Sequence, residues 1–198
     1  MNSLSAYPIF CDNMTTLKNT SIDDRDKKNI VYMTESAKEV VRFDGVKDNY
    51  IESLGLSDTP KSNDALMEIE TGKLVFVEFK NGYMNKAEQF GLRKKIYDSV
   101  LIFSDITAQG ISAMRECVEY ILVYNEEANK DNLDVEEKRA HVQASSSFDE
   151  IAKSIAGYAR EEYVCFGIKI FENYCFSKVH TYTKEEFEQY LISLDSSR

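Results

Sequence analysis

Asp64-Ala-Leu-Met-Glu-Ile-Glu-Thr-Gly-Lys-Leu-Val-Phe-Val-Glu-Phe-Lys80 reads as an apolar hairpin with charge at its open end. Thr71-Gly72 is a strong turn signal between two runs of strand-forming residues. Leu66 and Ile69 precede the turn, and Leu74-Val75-Phe76-Val77-Glu78-Phe79-Lys80 follows it. The second run is apolar on both faces as far as Val77, the pattern of a strand in the middle of a sheet. Asn81-Gly82 stops it. Side chains two apart on a strand share a face, so Glu78 and Lys80 point the same way. The turn brings Asp64 back to the same end. Unpaired charge in a core is costly, so three charges gathered there call for a reason.

Before the hairpin, Thr34 is a candidate N-cap for a helix whose apolar set is Ala37, Val40, Val41 and Phe43. The pattern resumes with Val46, Tyr50, Ile51 and Leu54 and stops at Gly55. After the hairpin, residues 86–103 predict a helix with Phe90, Leu92, Ile96, Tyr97, Val100 and Leu101 as its apolar residues. Val118-Glu-Tyr-Ile-Leu-Val-Tyr124 predicts a strand. A strand-helix-strand passage commonly makes a parallel pair. The expected fold is α/β, a mixed central β-sheet flanked by helices.

One domain is expected over 1–198, with an N-terminal arm over 1–33, a core over 34–124 and an extension over 125–198. The arm would pack through Tyr7, Ile9, Phe10 and Leu17. In the extension, 126–137 reads as an acidic excursion. Ser147 and Glu150 form a capping box for a helix over 148–160. Residues 163–171 and 174–180 suggest a second hairpin whose aromatics belong to the core. Thr183 and Glu186 cap a last helix that buries Phe187, Tyr190 and Leu191.

Composition narrows the function classes. The 198-residue chain is 43% hydrophobic with 2 prolines and 8 glycines, as a globular protein would be. It has no apolar run long enough to cross a bilayer and no secretory pattern at its start, so a cytoplasmic setting is expected. Cys11, Cys117, Cys165 and Cys175 show no zinc spacing and read as reduced thiols. The net charge of −10 argues against non-specific coating of nucleic acid. The charge is uneven, however. Residues 73–95 hold six cations and two acids, a local +4 that leaves −14 elsewhere.

Asp64 and Glu78 offer hard oxygen ligands, which is what Mg2+ takes from a protein. Such a metal polarises a phosphoryl oxygen and acidifies a bound water. A lysine beside it orients that water and offsets developing charge. The bland reading is a strand-end ion pair between Glu78 and Lys80, worth under about 1 kcal/mol, with Asp64 as a turn residue.

Asp64, thirteen residues, then Glu78-Phe79-Lys80 resembles the signature of the PD-(D/E)XK nuclease superfamily, the restriction-endonuclease-like proteins. Asn63 stands where the motif's proline would be. The resemblance covers about 34–124, and Val77-Glu-Phe-Lys-Asn-Gly82 also looks like small bacterial members. It implies an αβββαβ core, with the hairpin and last helix added after it. It also implies Asp64 and Glu78 as ligands of Mg2+ or Mn2+, the Phe79 carbonyl as a further ligand, and Lys80 as the catalytic lysine. A first-helix glutamate would be Glu35 or Glu39, and supporting residues on the following helix would be Gln89 and Arg93. Lys86, Lys94 and Lys95 are candidate contacts to nucleic acid, DNA being the expected substrate. The rival expectation is a non-catalytic acidic binding protein on the same fold, immunity- or antitoxin-like, whose negative surface meets a basic partner.

Overall fold

A computed structural model describes residues 2–133 and 164–196. The centre is a six-stranded mixed sheet. Its strands are β1 (Met14–Thr16), β4 (Glu39–Arg42), β5 (Ala65–Glu70), β6 (Lys73–Lys80), β7 (Val118–Tyr124) and β8 (Lys178–Tyr182), side by side in that order. β2 (Ile22–Asp23) and β3 (Val31–Tyr32) form a small separate hairpin. The first four strands of the sheet are antiparallel, and β6-β7 and β7-β8 are parallel.

β5 and β6 form the expected hairpin. Gly72 turns it with φ +79°, a backbone that residues with a Cβ rarely adopt. Its N–H donates to the Glu68 carboxylate at 3.0 Å. Along β6 the side chains alternate between two cores. Leu74 and Phe76 join Leu66, Tyr120 and Leu122 on one face. Val75, Val77 and Phe79 face Phe187 and Leu191 of the terminal helix on the other. By the same alternation, Glu78 and Lys80 emerge on the Phe76 face.

That face is covered by α3 (Phe43–Leu54) and α4 (Lys86–Thr107), while α1 (Pro8–Cys11) and α2 (Leu17–Thr20) are short helices of the N-terminal arm. The α4 helix starts at Asn85, whose side chain accepts from the Ala87 and Glu88 N–H groups. Its buried stripe is Leu92, Ile96, Val100 and Phe103. Phe90, Tyr97 and Leu101, expected in that stripe, are exposed. They sit off the 3.6-residue line that faces the sheet.

Two further differences have physical causes. The helix expected from Thr34 begins only at Phe43, and its first part is strand β4. Val40 and Val41 are buried on opposite faces, and Val41 pairs with both Met14 and Leu66. Two-sided burial of β-branched residues suits a strand better than a helix. Only two strands therefore lie between α3 and α4. The third antiparallel strand, β4, precedes α3. In the expected C-terminal hairpin, Phe166, Gly167 and Asn173 have positive φ, and Lys169–Phe171 forms a 3-10 turn. Only 178–182 is a strand, parallel to β7 rather than paired in a hairpin. Of its aromatics, Phe166, Phe171 and Phe176 are buried in the core, whereas Tyr174, also expected there, is exposed.

Phe10 and Leu17 bury the N-terminal arm, and β1 extends the sheet through it. Thr183 and Glu186 make the expected reciprocal cap, at 2.8 and 3.2 Å. The terminal helix runs Lys184–Ser196. Residues 126–133 are helical, and the helix expected over 148–160 lies outside the described residues. No helix among the described residues is long and apolar enough to cross a membrane.

The loop after β6 is pinned by one residue. Asn129, fully buried, accepts from the Met84 N–H at 2.8 Å and donates to the Gly82 and Asn125 carbonyls. Replacing it by leucine strands buried backbone groups. Asn129→Leu is expected to lower the unfolding free energy by about 2 kcal/mol, measured by urea denaturation. A loss below about 0.5 kcal/mol would show that the loop satisfies itself otherwise.

Candidate functional site

The three charges of the motif meet at the end of β6. Glu78 is fully buried and Lys80 about one-fifth exposed, and the Lys80 ammonium lies 3.1 Å from Glu78 Oε1. Asp64, at the entry of β5, aims Oδ2 at the Phe79 N–H, which donates at 2.7 Å. The Asp64 carbonyl accepts from the Phe43 N–H, joining the site to the start of α3. Behind it Asn63 is fully buried, with its N–H on the Ser99 hydroxyl.

A fourth charge completes the cluster. Lys95 descends from α4 and donates to Asp64 Oδ1 at 3.1 Å and Glu78 Oε1 at 2.7 Å. The expectation of a solvated or nucleic-acid-facing Lys95 is thus replaced by an ammonium between the two acids. Lys95 stands two turns beyond Glu88 on α4, so it crosses the Phe76 face of the sheet where Glu78 projects. Sequence spacing on the helix alone does not distinguish it from Lys94, which is exposed.

The electrostatics follow from burial. The Asp64 carboxyl is pushed up to about 7, first by desolvation and then by Glu78, against the opposing pull of Lys95 and the Phe79 N–H. The Lys95 ammonium is held above its usual value because Glu78 and Asp64 outweigh its own desolvation. The Tyr120 phenol, buried beneath and near both acids, is raised well above its usual range, chiefly by desolvation. Glu78 Oε2 is buried with no hydrogen-bond partner.

Asp64 and Lys80 line a polar cleft of about 750 Å³. The N-terminal arm, from Asn19 to Arg25, forms one wall, and the Asn81–Asn85 loop forms another. Asp44, in the first turn of α3, also faces this cleft and adds to the upward push on Asp64. Its carboxylate accepts from the Ser62 hydroxyl. Asp44 carries no mark of this role when the helix is capped at Thr34, eight residues before its actual N-cap Arg42. Once α3 is known to begin at Phe43, Asp44 is the acid of its first turn.

The other expected residues are elsewhere. Glu35 pairs with Lys18 at 2.6 Å, and Glu39 is exposed on β4, opposite Thr16. Neither is on a helix. Gln89 donates to the Met84 carbonyl at 3.0 Å, and Arg93 to the Gly167 carbonyl at 3.1 Å. Lys86 is exposed at the start of α4.

Among the described residues, no group of three or more His, Cys, Asp or Glu side chains could hold a metal ion. Asp64 and Glu78 nevertheless present oxygen donors on either side of one cation, the Lys95 ammonium. Mg2+ is commonly held by one or two carboxylates with water and phosphate supplying the rest. Hard oxygen donors and the orphaned Glu78 Oε2 fit such an ion, provided Lys95 yields its place. The chain has no match among protein-family models, curated proteins or solved structures.

Proposed function

We propose that this protein is a divalent-metal-dependent nuclease acting on phosphodiester bonds in nucleic acid, with DNA the leading substrate. The observation that carries the reading is the meeting of Asp64, Glu78 and Lys80 beside a polar cleft that Asp64 and Lys80 line. Asp64 and Glu78 would hold Mg2+ or Mn2+, with the Phe79 carbonyl as a further donor. The ion would supply Lewis acidity and an acidified water. Lys80 is held by Glu78 within reach of the cleft, where its ammonium offsets charge on a phosphoryl group and orients the water. Asp44 adds a third carboxylate at the cleft, closer to the site than Glu35 or Glu39 can be while they hold their present partners and strand position. Lys86 and Lys94 are free to meet the backbone of a bound strand.

The test is cleavage of linear DNA and RNA with Mg2+, with Mn2+ and with chelator, beside Lys80→Ala. Metal-dependent cleavage is expected, falling at least about 10²-fold in the variant. No cleavage of either polymer with either metal overturns the reading.

One observation favours a second reading. The Lys95 ammonium already balances the two carboxylates as a metal would. If it holds that place permanently, the chain is a non-catalytic binding protein. Its acidic surface, −14 outside residues 73–95, then suits a basic protein partner.

A further inference from the structure

One cation in the cleft has no assigned work. Arg25 is forked onto Asp23 at 2.8 and 2.7 Å, and Lys80 is paired with Glu78. Arg42, the remaining cation of the lining, is exposed, and its guanidinium makes no ion pair or hydrogen bond among the described residues. Its guanidinium is nonetheless placed. It lies over the first turn of α3 beside Asn13, where Gly45 carries no side chain. A Cβ at position 45 would stand 3.0 Å from Arg42 Nη2 and 2.1 Å from Asn13 Oδ1. The N-terminal end of a twelve-residue helix adds positive potential beneath it. An unpaired guanidinium lining the same cleft as Lys80 is a position for an anion. Its planar donors suit phosphate.

The shape of the cleft limits what carries that phosphate. Asn81 donates to Asp23 Oδ2 at 2.9 Å, which ties the arm to the residue following Lys80. Arg25 lies against Gly82, where a Cβ would stand 3.0 Å from its guanidinium nitrogens. A second hollow of about 430 Å³ lies against the same tie, lined by Asp23, Arg25 and Asn81 together with Asp26, Asn29 and Val31. The tie is a partition between the two hollows. A volume of about 750 Å³ is that of a small-molecule pocket, not of a channel for duplex. Asp23 and Asp24 also set negative charge along the wall that a second strand would meet.

We infer that the cleft takes a single nucleic-acid strand by its end, and that Arg42 binds a phosphate of that strand. This rests on the nuclease reading above and names the substrate form for the same site. Arg42 is a binding residue here, distinct from the metal and water machinery of Asp64, Glu78 and Lys80.

The test uses the full chain carrying Lys80→Ala, so that substrate stays uncut in Mg2+. Binding of a fluorescent linear single strand is followed by anisotropy as salt is varied. Circular single strand and blunt duplex of the same sequence serve as competitors. Linear strand is expected to compete at least about tenfold better than either. Adding Arg42→Ala is expected to weaken binding about tenfold and to reduce the log–log salt slope by about 0.7, the loss of one phosphate contact on a single strand. Arg42→Lys, which keeps the charge, should retain most of the slope. An unchanged slope in Arg42→Ala overturns the role of Arg42. Equal competition by the circle or the duplex overturns entry by an end, and the nuclease reading survives both results if metal-dependent cleavage persists. Failure of every nucleic acid to bind, with no cleavage, overturns the inference and the reading together.

Discussion

Replacing Lys95 by methionine is expected to destabilise the metal-free protein by about 3–5 kcal/mol at pH 8. The stem remains, so packing is nearly kept, and what is lost is the ammonium between Asp64 and Glu78. Glu78 is fully buried, and its remaining cation, Lys80, reaches only Oε1. Two carboxylates are then left close together in a site with little water. The loss should shrink at pH 5, where Asp64 takes a proton and the repulsion is relieved. Urea denaturation of both proteins at both pH values measures this. A loss under about 1 kcal/mol at pH 8 would mean that Lys95 is not the counter-cation its geometry indicates. The same experiment with Mg2+ separates the two functional readings. A metal that must displace an ammonium should stabilise the wild type less than the variant, by linkage to binding in the folded state. Mg2+ that stabilises neither protein favours the permanent ion pair and the binding-protein reading.

Asp64 is expected to make stability fall as pH rises. Its folded value of about 7 lies above the 3.8 of an ordinary aspartate. The folded state therefore binds the proton more tightly than the unfolded state does. The contribution is fully present below about pH 4 and is lost as pH rises through about 7. Between pH 5 and pH 8 the loss is on the order of 2–3 kcal/mol. Asp23, Asp26 and Glu172 are shifted down, so their contributions run the other way, present at neutral pH and lost in acid. The Asp64 part is isolated by comparing metal-free wild type with Asp64→Asn at each pH. The variant should gain on the wild type by that amount from pH 5 to pH 8. Parallel curves would show that the Asp64 carboxyl titrates normally. Metal binding should follow the same proton, weakening below about pH 7 as the carboxyl protonates.

The elements of this fold differ in how far local sequence specifies them. β6 was legible because six consecutive residues from Leu74 to Phe79 include only one charge. The turn at Gly72 and the capping box at Thr183 and Glu186 were legible because each is a local interaction over a few residues. β4 was not, because Ala37, Val40, Val41 and Phe43 fit helical spacing as well as they fit a strand. Only the two neighbours that Val41 pairs with decide between them. The same ambiguity covers Asp44 and Arg42, which lie on either side of the junction between β4 and α3.

That Asp64, Glu78 and Lys80 share one end of a hairpin follows from local sequence. Strand alternation and a two-residue turn are short-range geometry, and they leave little freedom. What answers those charges depends on long-range packing. Lys95 is seventeen positions from Glu78, on a separate element. A lysine on a helix carries no mark of the sheet face it will cross. That choice is made by the burial of Leu92, Ile96 and Val100, which fixes the rotation of α4 and thereby sets an ammonium between two buried carboxylates.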